Sequence, residues 1–242
     1  MVNLLLILSI ISPTNPGWGV GNTGVCVPEN YINPAGISFI SPSASISAGY
    51  LYGLIGECAI RGNMHSVFCE VKGVQGGPMW EVSSRIGASY RQGEIGIGIE
   101  YCILQRTISP YPAYTTHSWG IGLLYIENSK TLSVGGNIHS EFGGASPTGI
   151  IGIRLSRGFV EFIWEAIFNA TTSTSHNTAL IIHPHPQLTL GWGYTNYNQS
   201  ISFQIAWRTK TLSYTYNTQF HPYLGISWGF ILTYTRRNDD TS

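Results

Sequence analysis

Charge is scarce in this chain. Its 242 residues carry 12 Lys and Arg and 12 Asp and Glu, 10% in all, against about 25% in soluble domains. So few charges exclude an ordinary water-facing exterior, which a domain of this length covers with solvated side chains. The formal net charge is zero, which leaves no basic stripe to follow a phosphate backbone and excludes nucleic acid as a partner. Aspartate is confined to Asp239 and Asp240 at the C-terminal end, so an Asp-dependent triad or an aspartate pair has no material elsewhere. The four cysteines, Cys26, Cys58, Cys69 and Cys102, include no C-x-x-C pair, and zinc or thioredoxin-like chemistry finds no motif. The longest apolar run covers residues 4–11, broken only by Ser9, far short of the roughly 20 residues that span a bilayer as a helix.

That run reads as the apolar core of a secretory signal over residues 1–12, with a buried N-terminal strand as the alternative. No Lys or Arg precedes it and no small-x-small cleavage site follows.

What the chain has in quantity is glycine, 29 residues, and aromatics, 12%, set in a period-2 pattern from about residue 44 onward. Trp80, Val82, Ile86, Ala88 and Tyr90 share one parity, and Glu81, Ser83, Arg85, Ser89 and Arg91 the other. Leu132, Val134 and Ile138 oppose Ser133, Asn137, His139 and Glu141 in the same way. Such alternation is the mark of strands with two unlike faces, and helical periodicity is nowhere sustained. Apolar stripes recur at Ile95 to Ile103, Trp119 to Tyr125, Val160 to Phe168, Leu188 to Tyr194, Ile201 to Trp207 and Leu224 to Tyr234, with aromatics near their ends. Ten-residue alternating segments of this kind are the signature of a transmembrane β-barrel. A soluble barrel also alternates, but its outward positions would need Lys and Glu; here the polar faces are Gly, Ser and Thr, which suit a crowded polar lumen.

The expected fold is therefore all-β, an antiparallel transmembrane barrel over residues 43–235 of about twelve strands, ten and fourteen being the alternatives. Residues 45–52 and 178–183 are the pieces that decide the number. A hairpin turn is expected at Gly62-Asn63, which would bring Cys58 and Cys69 onto one parity and within reach of a disulfide in a suitable register. Pro110-Tyr111-Pro112 and residues 173–186 read as longer surface loops, and residues 236–242 as a polar tail. His183 and His185 lie at i and i+2, one face of a strand, but with no third ligand and a proline after each they read as a loop or edge rather than a metal site. No metal, cofactor or catalytic residue is expected, and the chain reads as a non-enzyme.

Fourteen residues are expected to project inward: Glu57, Arg61, Glu70, Lys72, Glu81, Arg85, Arg91, Glu100, His139, Glu141, Arg154, Glu161, Glu165 and Arg208. Their nearly balanced signs favour mutual ion pairs that brace the barrel, with the lining of a solute path as the alternative.

Residues 13–42 do not alternate and are rich in Gly, Pro and Asn. Irregular backbone in a barrel protein satisfies its polar groups in water or inside the lumen, so this segment is either a plug or a periplasmic tail. Its glycine-spaced stretch, the Asn33-Pro34-Ala35-Gly36 motif and the strand that follows at once resemble the FadL/PorV/PorQ superfamily of outer-membrane proteins. His221-Pro222-Tyr223-Leu224-Gly225-Ile226-Ser227-Trp228 is similar to the closing segment of the PorV/PorQ branch. The resemblance implies an N-terminal hatch built on Asn33, Pro34, Ala35 and Gly36, a bacterial outer-membrane location reached through a signal peptide, contact with outer-membrane lipid, and secretion-system proteins as partners; the FadL side of the family implies a hydrophobic ligand instead. The chain departs from the family in its shorter length, in Thr23-Gly24-Val25-Cys26-Val27-Pro28-Glu29 where an Ala- and Asp-rich stretch is usual, and in lacking a C-terminal aromatic. A structural porin and a soluble ligand-binding barrel are the remaining readings.

Overall fold

A computed structural model describes residues 23–28, 32–141, 147–169 and 172–236. The expected signal segment lies outside the described residues, as does all but the first residue of the tail. Among the described residues fourteen strands follow one another: β1 (Ser43–Leu51), β2 (Ile55–Met64), β3 (Val67–Gly76), β4 (Met79–Gln92), β5 (Ile95–Ile108), β6 (Tyr114–Ile126), β7 (Leu132–Glu141), β8 (Thr148–Arg157), β9 (Val160–Asn169), β10 (Thr172–His185), β11 (Leu188–Thr195), β12 (Ser200–Arg208), β13 (Leu212–His221) and β14 (Gly225–Thr235). Each pairs antiparallel with its sequence neighbours, and β1 pairs with β14 from Ser43↔Thr235 to Tyr50↔Trp228, which closes the barrel. Closure leaves no unpaired sheet edge, the condition for a β-structure to sit in hydrocarbon.

The count is fourteen, the upper alternative, because both doubtful pieces are strands. Residues 45–51 belong to β1, whose Ser-Ala alternation carries little hydrophobic contrast, and Tyr52 begins the turn after it. Residues 178–183 belong to β10, which also absorbs nearly all of the expected surface loop at 173–186. The expected turn at Gly62-Asn63 is displaced: both residues stay in β2, and the chain reverses at His65-Ser66, with Met64 opposite Val67 and His65 at φ 54°. Asn63 is held in the strand by its neighbour, its Oδ1 accepting from the Ser43 amide at 3.1 Å.

The shifted register puts Cys58 opposite Gly73 and Cys69 opposite Gly62. The two cysteines are thus four residues apart along the ladder, on the order of 13 Å, beyond the ~7 Å a disulfide allows; both thiols are free.

Burial is inverted relative to a soluble barrel. Outward apolar residues are exposed, as at Ile60 (67%), while inward polar residues are buried, as at Glu165 (1%) and Asn217 (0%). Ile46, Ile97, Ile99, Leu123, Ile205, Trp228 and Phe230 continue the exposed apolar belt around the wall. In water such a contiguous belt would cost about 25 cal/mol per Å², so its medium is lipid. No helix among the described residues is long and apolar enough to cross a membrane; the strands are the spanning elements.

Candidate functional site

The interior of the barrel is lined by buried polar side chains, and the described part of the N-terminal segment lies inside it. Residues Pro34–Phe39 form a short 3-10 helix capped by Asn33, whose Oδ1 accepts from the Ala35 amide at 3.0 Å. Pro34 sits at the first helical position, where its missing N–H costs nothing. The helix contacts β3, β4, β5 and β6.

Asn33 ties this segment to two strands at once. Its Nδ2 lies 2.9 Å from the Val25 carbonyl, 2.9 Å from the Leu123 carbonyl on β6 and 3.3 Å from the Gly136 carbonyl on β7. From β7, the Asn137 amide donates to the Ile32 carbonyl at 2.7 Å. Thr23, Val25, Cys26, Asn33, Ala35 and Ile37 are all buried. Burial pushes the Cys26 thiol well above its ordinary pKa, with Glu165 adding to the shift, and Cys26 packs against Ile163, Ala179 and Ile181 of β9 and β10.

The wall is shaped to receive this segment. A Cβ added at Gly98 would overlap Pro34, at Gly122 Asn33, and at Gly135 the Val25 carbonyl. At Gly96 it would come 2.8 Å from the Ala35 carbonyl oxygen, and at Gly152 2.7 Å from a Val25 methyl. These five glycines lie on β5, β6, β7 and β8, all facing inward. Without them the segment could not approach the wall.

Glu165 on β9 supplies the charged contact. Its Oε1 accepts from the Gly24 and Val25 amides at 2.6 Å each, and the Cys26 amide adds a further bond. Successive backbone N–H groups converging on one carboxylate form an anion-binding nest, here filled from the barrel wall.

The other inward charges pair among themselves. Arg61 pairs with Glu70; Arg85 reaches Glu70 at 3.4 Å and Glu100 at 2.5 Å; His139 lies 3.5 Å from Glu100. This chain runs along the wall from β2 to β5, with His139 joining it from β7. Lys72 and Glu57 lie 3.7 Å apart, and Arg154 holds Glu161 at 2.8 Å, with His183 on the same carboxylate at 3.2 Å. Glu81 pairs at 2.5 Å with Arg106, a buried residue that the sequence analysis missed. Its even parity with Gly96, Gly98 and Glu100 was the available signal, but the apolar stripe used to trace β5 stops at Ile103.

Arg91 and Arg208 are exposed at strand ends, at the rim rather than within the wall. Arg91 stacks over the Phe39 ring at 4.4 Å, so it braces the N-terminal segment from its edge. Glu141 ends β7 and is half-buried.

His183 and His185 do not share a face. The β10–β11 register shifts between Ile182 and His185, so His183 turns to Glu161 while His185 stacks on Trp207 of the outer belt at 6.4 Å. A bulge at a strand-end proline has this effect on side-chain direction. No group of three or more metal-ligating residues occurs among the described residues.

Buried ion pairs of this kind are costly to break by halves. Replacing Arg85 with Met leaves Glu100 without its guanidinium partner and is expected to cost about 3 kcal/mol. It would be read as a lowered urea midpoint of the lipid-reconstituted barrel. Adding Glu100→Gln should recover much of that loss, and a double variant no better than the single one would show that the pair braces nothing.

No protein-family model and no curated protein matches the sequence. Among solved structures the chain is similar in fold to the TodX monoaromatic hydrocarbon channel (deltaS2 mutant), with TM-score 0.62 and 10% identity over 93% of this chain and 98% of that one. It is similar to the CymD monoaromatic hydrocarbon channel at TM-score 0.60 and 8% identity, again over 93% and 98%. The Acinetobacter baumannii outer membrane protein Omp33 gives TM-score 0.58 and 7% identity over 81% and 98%. At these identities the likeness is one of fold: a closed antiparallel barrel of the outer-membrane type.

Proposed function

We propose that this protein is a non-enzymatic barrel of the bacterial outer membrane whose lumen is closed by its own N-terminal segment, and that it works as a conduit opened by displacement of that segment. The observation that carries the reading is the inward glycine set at 96, 98, 122, 135 and 152, moulded to residues 25 and 33–35. A barrel needing only to be filled could use larger side chains from the wall itself, as small barrels do. Here the wall is thinned to hold a separate piece of chain that Asn33, Asn137 and Glu165 fasten.

The outer belt of exposed aliphatic and aromatic residues supports the membrane location and weighs against a soluble ligand-binding barrel. The resemblance of Asn33-Pro34-Ala35-Gly36 to the hatch motif of the FadL/PorV/PorQ superfamily supports the same reading, and the secretion-linked PorV/PorQ branch follows from motif resemblance alone. A FadL-like transporter of hydrophobic small molecules is favoured by the fold shared with two hydrocarbon channels. It is opposed by a lumen wall of Ser, Asn, Gln and paired charges.

The test is to replace residues 33–36 as a block with four serines, export the chain behind a bacterial secretion signal, and follow two readouts. The outer-membrane fraction should contain a band whose gel migration shifts on boiling, in both forms, as closed barrels do. Cells carrying the serine form should admit a large antibiotic such as vancomycin that the parent excludes. A soluble, heat-indifferent protein would overturn the barrel reading; equal exclusion by both forms would overturn the hatch.

A further inference from the structure

The inward charges are unevenly distributed, and the uneven part has its own geometry. Among the described residues, every buried inward Glu, Lys or Arg lies on β2–β5 or β9. The inner face of β11–β14 and β1 holds no Glu, Asp or Lys, has Arg208 only at the exposed end of β12 and His221 at the end of β13, and otherwise carries mostly Ser, Thr, Gly, Asn and Gln. Across the closing seam one row of this face reads Gln204, Asn217, Gly229, Gly49. The next reads Ser202, Gln219, Ser227. The glycines give the seam a low floor with Asn217 standing beside it.

Asn217 is fully buried, and neither atom of its side-chain amide has a hydrogen-bond partner. Gln219, 1% exposed, donates to the Ser200 hydroxyl at 2.5 Å but leaves its Oε1 unpartnered. A buried amide left without a partner destabilises the fold, and an apolar residue of the same shape would avoid that cost. Two adjacent carboxamides kept at this expense, beside a glycine floor in an uncharged wall, are poorly explained by stability.

We propose that the β11–β14–β1 arc is the solute-facing side of the conduit, and that Asn217 and Gln219 form a hydrogen-bonding site for an uncharged, hydroxyl-rich solute of the saccharide class. The inference rests on the conduit reading above. A carboxamide offers both a donor and an acceptor, which matches a sugar hydroxyl, itself both. The arc offers no fixed charge to hold an ionic solute and few apolar side chains, Ile231 and Ala206 among them, to hold a hydrocarbon. The charged arc on β2–β5 is closed on itself by the ion pairs and is left to brace the wall. Both amides are buried in the closed barrel, and the proposal requires that they face solute in the open one.

The experiment uses the full chain in liposomes with the plug loosened by Glu165→Ala, and three probes: KCl conductance, raffinose influx by liposome swelling, and influx of the similarly sized but charged trigalacturonate. Conductance with raffinose entering at least about fivefold faster than trigalacturonate is expected. In the same background Asn217→Leu/Gln219→Leu should cut raffinose influx severalfold while leaving KCl conductance within about twofold and the urea midpoint no lower. If that pair fails to give a heat-shifted band, Asn217→Ala/Gln219→Ala serves in its place. Equal passage of the two trisaccharides, or raffinose influx indifferent to both double variants, would overturn the saccharide site while leaving the conduit intact. No KCl conductance at all would remove the conduit and this site together.

Discussion

Glu165→Ala should open the barrel. Two of the bonds that hold the plug's first turn run from the Gly24 and Val25 amides to this one carboxylate oxygen. Each buried amide left without its acceptor costs about 1–3 kcal/mol. Losing the pair therefore shifts the closed-to-open balance by roughly 3 kcal/mol, about a hundredfold. In planar bilayers this is read as open probability, and it has a chemical counterpart in Cys26. In a background with Cys58, Cys69 and Cys102 changed to Ser, the Cys26 thiol is buried against Ile163 and Ala179 with its pKa pushed up by burial, so a water-soluble maleimide should leave it untouched. Glu165→Ala should make it react within minutes, and Glu165→Gln, which keeps an acceptor oxygen but not the charge, should fall between. A Glu165→Ala protein as closed and as unreactive as its parent would mean that the plug is held by packing alone.

The second large effect comes from the wall. Gly122→Val places a branched side chain where the Asn33 carboxamide now sits, and the overlap is with the group that fastens the segment to β6 and β7. Overpacking in a close-packed interior ordinarily costs about 1–3 kcal/mol, and here the cheapest relief is for the plug to leave. The barrel should still close and shift on boiling, while Cys26 becomes reactive and conductance appears. Gly136→Val is the matched control: it points outward from the neighbouring strand, and its added Cβ would come no closer than 3.7 Å to any atom. A Gly122→Val barrel that stays closed, or a Gly136→Val barrel that opens equally, would refute the shaping of the wall by the plug.

How much of this could be read from the chain itself varied with the contrast between faces. Strands such as β5, with Ile at every outward position from 95 to 99 and Gly between, announce their parity. The hard elements were those that dilute it: β1, built on Ser and Ala, and β10, whose first half is Thr, Ser, His and Asn. A bulge then breaks parity outright, which is why His183 and His185 separate. The turn at His65-Ser66 was hidden because Gly62-Asn63 offers stronger turn residues, yet Asn63 is held in β2 by its bonds to β1. Within the lumen, the charged residues were visible as a set, but their partners depend on register, which one residue of slip inverts. The glycines looked like mere lumen filler. Their purpose needs the knowledge that Asn33 meets Leu123 and Gly136, some 90 to 100 positions away, which no local pattern carries.

The 3-10 helix ends at Phe39 and β1 begins at Ser43, so the plug hangs on a leash of three residues. A detached plug therefore cannot wander: its effective concentration at its own seat is of millimolar order or higher. Reclosing is then a first-order event whose rate is indifferent to how many copies share the membrane, and the open interval becomes a property of single molecules, brief unless something else takes the seat first.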